Sequence, residues 1–290
     1  MRPKIVVLAV LAIVTVACAN APTGARSEPS GSAIAHPTSA DQMVLRVELQ
    51  GGFVAPDTIF ARMPSFSLMG DGTAIEPGAQ DEIYPGQALP PLVARRISED
   101  GIQAILGAAL QAGLDHDATL GDMGSVGVSD MPTTVFTLSA NGETHRVEAY
   151  ALGMPGDQRP EGMSQETWAA RQALSSFAEK LGRLTAWLPE GSIGAEAPFD
   201  TPGAALLVQA YQGDPGLAQN PVAWPLGTRL AGFGTTDPSG LDARCGTVTG
   251  SDWTTLQPVA SDANTLTPWT SDGRRYGIAF RPLLPDQHDC

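Results

Sequence analysis

A few stretches of the sequence place side chains capable of chemistry close together. Asp115-His116-Asp117 follows a predicted helix and offers three candidate metal ligands in a row. Carboxylate oxygens suit Ca²⁺, but the alternating acids, central glycine and late glutamate of a helix-loop-helix calcium site are missing. The His-x-x-x-His and Cys-x-x-Cys pairs that zinc sites use are missing too. The sequence therefore predicts no metal or cofactor, and leaves open only a weak Ca²⁺ site near Asp115 and Asp117.

A serine hydrolase would carry its nucleophile in a Gly-x-Ser-x-Gly turn between a strand and a helix. The nearest stretch, residues 123–127, has Met123 in place of the first glycine and no helical pattern after it. His145 lies in a predicted strand, where we expect it at the surface. A hydrolase would need a pocket that brings His116 or His145 to a carboxylate and a hydroxyl. No catalytic residue is predicted, and we expect a protein that is not an enzyme.

The first eighteen residues have the charge and apolar pattern of an export signal. Arg2 and Lys4 precede an uncharged apolar run at residues 5–17, and Cys18 follows directly. Thirteen helical residues span about 20 Å, which is less than the roughly 30 Å hydrocarbon core of a bilayer. We predict that residues 1–17 are a signal peptide. An ordinary secretory signal with an incidental cysteine is the alternative at this point.

The end of that run, Thr15-Val16-Ala17-Cys18, resembles the lipobox of bacterial lipoproteins, with Thr15 where most members carry leucine. The resemblance implies cleavage before Cys18 and attachment of lipid, palmitate included, to that residue. We therefore expect a protein anchored to the cell membrane through Cys18, on the extracytoplasmic side. Residues 19–42 are rich in Ser, Pro, Ala, Thr and Gly and are the predicted flexible tether, with His36 solvated in it.

Two cysteines remain once Cys18 is lipidated, namely Cys245 and Cys290. In an exported protein, an even remainder predicts one disulfide. Closing a loop of about 46 residues would stabilise the fold by up to ~4 kcal/mol through the restricted unfolded chain. The alternative is a free, exposed thiol at the C-terminal position.

The charge balance is strongly acidic. The chain carries 17 Lys and Arg against 31 Asp and Glu, a formal net charge of −14. Removal of residues 1–17 takes away Arg2 and Lys4 and leaves 15 basic against 31 acidic groups, a net charge of −16. Such a polyanion repels phosphate backbones and anionic headgroups. Nucleic acid is therefore not an expected partner, and membrane attachment must come from the lipid.

Folded structure is predicted to begin at Met43. The hydrophobic content of 42% supports a buried core, and 32 Gly and 24 Pro favour many turns and short strands. The predicted elements of the first part are a strand at 44–49, a hairpin at 66–75 around Asp71-Gly72, a helix after Ser98, a hairpin at 133–151 around Asn141-Gly142, and a helix at 165–188.

A smaller C-terminal part is predicted from residue 201 to residue 290, closed by the disulfide. Its predicted elements are a strand at 205–211, a strand at 244–248, a short helix capped by Ser251 and ending near Leu256, and a hairpin at 269–280 around Asp272-Gly273. The order is β-β-α-β-β-α in residues 43–200, then β-α-β-β. We predict an α+β fold with antiparallel sheets and two main helices.

Several of these features occur together between residues 44 and 188. They are the strand leading into Gly51-Gly52-Phe53, the Asp71-Gly72 hairpin, the helix after Ser98, and the Asn141-Gly142 hairpin before a terminal helix. In this arrangement the segment resembles the emfourins, which are small proteinaceous inhibitors of metallopeptidases, and similar envelope domains. The loop at 77–91 is an insertion relative to that pattern. The resemblance implies inhibition of a peptidase as an alternative function.

Two long loops are the candidate partner-binding segments, because rigid elements hold loops in place while their tips remain free to vary. The loops are 77–91, an ordered loop expected to expose Ile83, Tyr84 and Leu89 among acidic residues, and 215–225, which carries Trp224. We predict that Tyr84 or Trp224 anchors a partner. The alternative is that these side chains fold back and pack against the sheet.

Composition, signal and loops together predict a lipid-anchored extracytoplasmic binding protein of the bacterial cell envelope, whose partner is an envelope protein or a peptide. Three alternatives stay open. They are a peptidase-inhibitor-like module, an extracytoplasmic hydrolase, and a structural spacer, which would have a surface without an apolar patch.

Overall fold

The computed structural model describes residues 33–154, 156, 158–237 and 242–290. The predicted signal peptide, Cys18 and residues 19–32 of the predicted tether lie outside the described residues. None of the helices in the described ranges is both long and apolar enough to cross a bilayer. By their contacts, residues 34–290 form one unit.

The first sheet has eight strands. They are β1 (Met43–Gln50), β2 (Phe66–Met69), β3 (Thr73–Pro77), β4 (Leu92–Arg96), β5 (Ala118–Leu120), β6 (Thr133–Ala140), β7 (Glu143–Tyr150) and β8 (Ala197–Pro198). Their order in the sheet is β5-β7-β6-β1-β2-β3-β4-β8. Neighbouring strands are antiparallel except β5 and β7, which are parallel. Both hairpins predicted in this part of the chain are confirmed.

Two helices cover one face of this sheet. The helices of the first part are α1 (Pro56–Ala61), α2 (Glu99–Gln111) and α3 (Gln165–Leu181). The Ser98 and Ser164 side chains cap α2 and α3 by accepting a backbone N–H three residues later. The apolar faces of α2 and α3 pack on the alternate sheet residues that include Leu45, Val47 and Phe136.

The helix predicted to reach residue 188 ends at Leu181. Gly182 is its C-cap, and Leu184–Ala186 form a separate 3₁₀ turn. Leu184 and Leu188 still pack on the same core, so their spacing imitates a continued helix. Glycine is a poor helix former, which favours a stop at Gly182.

The second sheet lies in the C-terminal part of the chain. Its strands are β9 (Gly203–Ala210), β10 (Val222–Ala223), β11 (Thr235–Thr236), β12 (Ala243–Thr249), β13 (Trp269–Ser271) and β14 (Arg274–Pro282), with helix α4 (Gly250–Ser261) on one face. Their order is β10-β13-β14-β9-β12-β11. The predicted cap at Ser251 is wrong, because α4 already begins at Gly250. The helix also passes the predicted end at Leu256, because Ala260 extends its buried face.

Two segments fill the space on the remaining faces of the sheets. The C-terminal tail places Leu284 against Met69, Ile75 and Leu92 of the first sheet. Helix α1 places Phe60 against the second sheet in a cluster around Leu207. The buried guanidinium of Arg46 on β1 also binds both carboxylate oxygens of Asp286, at 3.0 and 2.7 Å. The predicted α+β fold class is confirmed.

The ordered chain begins before Met43. The Ile34 N–H donates to Gln103 Oε1 at 2.8 Å, and the Asn141 N–H donates to the Ala35 carbonyl oxygen at 2.7 Å. The His36 side chain is only 6% exposed and lies 3.2 Å from the Glu99 carboxylate. The predicted boundary therefore moves to Ile34, and the prediction of a solvated His36 is wrong. Backbone hydrogen bonds hold this segment, so its loop-like composition concealed its order.

Candidate functional site

The strand register gives the first sheet two different ends. Met43 of β1 pairs with Met69 of β2, so the tight β2–β3 turn lies at the start of β1, and the β6–β7 turn at Asn141-Gly142 lies there too. We name this the turn end. Gln50 pairs with Thr133 at the other end of β1. The connections 51–65, 78–91, 121–132 and 151–164 all lie at this second end, which we name the loop end. It is about 27 Å from the turn end, the length of an eight-residue strand.

Exposed apolar side chains are concentrated at the loop end. The large exposed apolar residues of the described chain are Leu49, Phe53, Val54, Ile59, Ile83, Tyr84, Met131, Met154 and Leu217. All except Leu217 belong to β1 or to the connections at the loop end. Clustered exposed apolar residues mark interaction sites more often than scattered ones do. The loop end is therefore the candidate binding surface.

The turn that presents Phe53 is held in place by hydrogen bonds. Gly51 and Gly52 adopt positive φ angles of 66° and 90°, which favour glycine. Arg62 Nη1 donates to the carbonyl oxygens of Leu49 at 3.3 Å and Gly51 at 2.9 Å. The Phe53 N–H donates to the Asp130 carbonyl oxygen at 3.0 Å. The backbone is thus fixed while the Phe53 side chain is 85% exposed.

A buried arginine on α3 supports the neighbouring connections. The Arg171 residue is 2% exposed, and its guanidinium donates to the carbonyl oxygens of Leu120, Tyr150, Ala151 and Met154. Burial lowers the pKa of Arg171, an effect that the nearby Asp122 carboxylate opposes. Sequence reasoning missed this residue, although a basic side chain three positions before Leu174 on an apolar helix face was a usable signal.

Tyr84 is exposed, as predicted for a binding residue. Tyr84 and Ile83 are 69% and 66% exposed, next to the exposed acids Asp81 and Glu82. The base of this loop is ordered, because the Ala88 N–H donates to the Ala263 carbonyl oxygen at 3.0 Å and Ala88 is buried in the second core. Leu89 differs from the prediction, since it is partly buried against the second core.

Trp224 is not a surface anchor. It is only 9% exposed, and its ring meets those of Trp269 and Phe233 edge-on, with centroids 5.9 and 6.2 Å away. The Trp224 Nε1–H donates to the Thr228 carbonyl oxygen at 2.8 Å. The short strand β10 pairs with β13 and brings this side chain onto the second core. The prediction of Trp224 as a partner-binding residue is therefore wrong.

The predicted disulfide is confirmed. Cys245 and Cys290 are joined, with Cα atoms 6.1 Å apart, and the bond attaches the C-terminal tail to β12. Arg281 reinforces this attachment by donating from Nη2 to the carbonyl oxygens of Asp289 and Cys290. Cys18, the predicted lipidation site, lies outside the described residues.

The acidic stretch near Asp115 forms ion pairs but no compact site. His116 Nδ1 lies 2.8 Å from Asp115 Oδ1, and its hydrogen bond lowers the pKa of that carboxyl. His145 lies 3.3 Å from Glu143 and 3.8 Å from Asp117, whose side chains are about three-quarters exposed. In the described ranges, no group of three His, Cys, Asp or Glu side chains could hold an ion.

The cavity beside this acidic stretch does not bring a histidine to a carboxylate and a hydroxyl, as a hydrolase would require. It is a shallow polar depression of about 300 Å³ beside β5 and β7, lined by Asp117, Ala118, Thr119, Arg146 and Glu148. Neither His116 nor His145 lines it. Ser125 lies outside this cavity, in the 121–132 connection, and its backbone N–H donates to the Glu161 carbonyl oxygen at 2.7 Å. Within the described chain, the ion-pair partners of both histidines are exposed carboxylates.

Comparisons with protein-family models, curated proteins and solved structures give no significant match for this chain. The resemblances to lipoprotein signals and to emfourins accordingly stay predictions from the residues quoted above.

Proposed function

We propose that this protein is a lipid-anchored, extracytoplasmic binding protein of the bacterial cell envelope that is attached from one end of its first sheet and binds a protein or peptide at the other. The distribution of exposed apolar side chains is the observation that carries this proposal. All of them except Leu217 lie at the loop end, while Ile34, near the start of the described chain, contacts α2 at the turn end.

The length of the first sheet supports such an arrangement. Its two ends are about 27 Å apart along the eight residues of β1, so attachment at one end would leave the connections of the other end accessible. Loops on a rigid sheet are suited to recognition, because the sheet fixes their bases.

Tyr84 is the proposed anchor within the loop 78–91. An aromatic side chain with a polar tip contributes a large contact area at a small loss of conformational entropy. Its exposure, together with that of Ile83, leaves both side chains available to a partner, and the packing of Ala88 limits the entropy lost when the loop is bound.

Two measurements test the proposal. Replacement of Cys18 with Ser should move the protein from the membrane fraction to the soluble fraction, or leave its signal peptide uncleaved. Unchanged membrane attachment would contradict the lipid anchor. Separately, a partner that co-purifies with the wild-type protein from solubilised envelopes should be depleted about tenfold or more by Tyr84→Ala, but not by Leu217→Ala, the matched exposed apolar control. Equal recovery with both variants would contradict a binding role for Tyr84.

A further inference from the structure

Six exposed apolar side chains lie on β1 and on the connections at the loop end, and we name them the apolar rim. They are Leu49, Phe53, Val54, Ile59, Met131 and Met154. Leu49 pairs with Thr134 in the register of β1 and β6, and Gly52 backs onto Pro132. The Ala151 N–H donates to the Pro132 carbonyl oxygen at 3.0 Å, which brings the turn carrying Met154 to the same place. The rim thus comes from three separate connections.

Hydrogen bonds and one ring contact hold parts of the backbone beneath the apolar rim. Arg62 fixes the turn before Phe53, and Arg171 binds the Met154 carbonyl oxygen from the core. Helix α1, which carries Ile59 outward, is held to the second sheet by its own Phe60, whose ring lies 5.1 Å from the Arg281 guanidinium. A surface that is ordered before binding loses little conformational entropy on association. These contacts order the bases of the connections that carry Phe53 and Ile59 before a partner binds.

The charges around the apolar rim restrict its partner. Asp130 is exposed beside Met131, and Asp57 lies at the start of α1, three positions after Val54. Two cations lie in the same connections, namely Arg62, whose Nη1 donates to two carbonyl oxygens, and Arg159, whose Nη1 donates to the Met163 carbonyl oxygen. Residues 33–290 as a whole carry 30 acidic and 14 basic side chains. Like-charge repulsion therefore disfavours an anionic bilayer or a second copy of this chain, whereas a cationic partner is attracted.

We infer that the apolar rim is a docking surface for a protein segment that presents apolar side chains flanked by Lys or Arg. Phe53 is the central anchor, because it is the most exposed large apolar residue of the described chain. Asp57 and Asp130 select the flanking cations. This inference rests on the proposed binding function, but it depends neither on the lipid anchor nor on Tyr84.

Selection of a random peptide library tests the inference. Phage-displayed twelve-residue peptides are selected on the immobilised full chain, and the enriched sequence is then synthesised and titrated. We expect apolar residues flanked by Lys or Arg, at least tenfold weaker binding to Phe53→Ser, and binding within twofold of wild type for Leu217→Ser. The double variant Asp57→Asn, Asp130→Asn should bind about threefold more weakly and with less dependence on salt.

Several results would overturn the inference. They are failure to enrich any peptide, an acidic consensus, or a titration that Phe53→Ser leaves unchanged. Two further measurements test for other occupants of the rim. Sedimentation of the protein alone tests for a dimer, and flotation with vesicles of phosphatidylcholine and phosphatidylglycerol tests for lipid binding. A dimer or a vesicle-bound fraction that Phe53→Ser abolishes would assign the rim to a second copy or to lipid instead. Thermal unfolding of Phe53→Ser should match wild type, which shows that the variant folds.

Failure of the rim is distinguishable from failure of the proposed function. The Cys18→Ser fractionation and the Tyr84→Ala co-purification do not involve the apolar rim. If those two results hold while the peptide selection fails, the binding function stands and the rim is not its surface.

Discussion

The two ends of the eight-stranded sheet differ in how they are built. At the turn end, two tight turns and the segment 34–42 close over the strands, and the described chain exposes no large apolar side chain there. At the loop end, four longer connections meet, and these carry all of the large exposed apolar residues of the described chain except Leu49 and Leu217. The same strands thus have one end closed by short turns and one end with long connections. This is the usual division between a scaffold and a recognition surface.

Substitution of Arg171 should have the largest effect on this contrast, because it removes the support of the loop end. Arg171→Met keeps the apolar stem but leaves four carbonyl oxygens, one of them fully buried, without this donor. We expect a loss of about 4 kcal/mol in the free energy of unfolding, measured by urea denaturation with circular dichroism. Arg183→Met, at an exposed ion pair with Glu179, is the control and should change stability by less than about 0.5 kcal/mol.

Substitutions of Trp224 and Tyr84 compare the stability contributions of a packed and an exposed aromatic residue. Trp224→Ala removes a side chain enclosed by Trp269 and Phe233, and it should lower the free energy of unfolding by about 3 kcal/mol. Tyr84→Ala should change it by less than about 0.5 kcal/mol. Thermal or urea unfolding of the two variants gives the comparison, and similar losses in both would mean that Tyr84 is also part of the packing.

Gly70 tests the closure of the turn end. A Cβ atom at this position would lie 2.6 Å from the Ser39 carbonyl oxygen and 2.8 Å from Pro37. Gly70→Ala should therefore displace residues 34–42 at a cost of about 1–2 kcal/mol, seen as faster hydrogen exchange in that segment. The control is Gly107→Ala in α2, where a Cβ meets nothing within 4 Å. That change should stabilise the helix by about 0.5–1 kcal/mol, and a loss there would count against the packing described.

Acid should weaken the attachment of residues 34–36 at the turn end, and this is the smallest of the four predicted effects. Hydrogen bonds from the Gln103 side chain and from His36 hold the pKa of Glu99 below its ordinary value of 4.5. A carboxyl with a lowered pKa stabilises the folded state above the ordinary value, and this contribution is lost as the pH falls through the lower value. Protection of residues 34–36 from hydrogen exchange should therefore decrease below about pH 4.5. Glu99→Gln should weaken this dependence, and an unchanged profile would contradict the assignment.

The turn end was largely predictable from the sequence. Asn141-Gly142 supplies the two positive φ angles, 54° and 82°, that a two-residue hairpin turn requires, so local chemistry determines the hairpin. Ser98 likewise determines the start of α2. The order of segment 34–42 was not predicted, because it depends on hydrogen bonds to Gln103 and Asn141, which are distant in the sequence.

The loop end and the anchor residues were less predictable, because their exposure depends on long-range packing. Tyr84 and Trp224 both occupy proline-containing loops and look equivalent locally. Pairing of β10 with β13 buries Trp224, whereas Tyr84 stays exposed. Phe53 is fixed by Asp130 from a different connection. A single sequence does not reveal such pairings, so the apolar rim became visible only in three dimensions.

Paired photo-crosslinking in intact cells tests most directly the claim that the loop end is the binding end. A photoreactive phenylalanine is placed at Phe53, in the apolar rim, or at Ala40, an exposed position of the turn end. We expect a discrete crosslinked adduct from position 53 and none from position 40. Adducts of equal yield from both positions, or an adduct from position 40 alone, would contradict it.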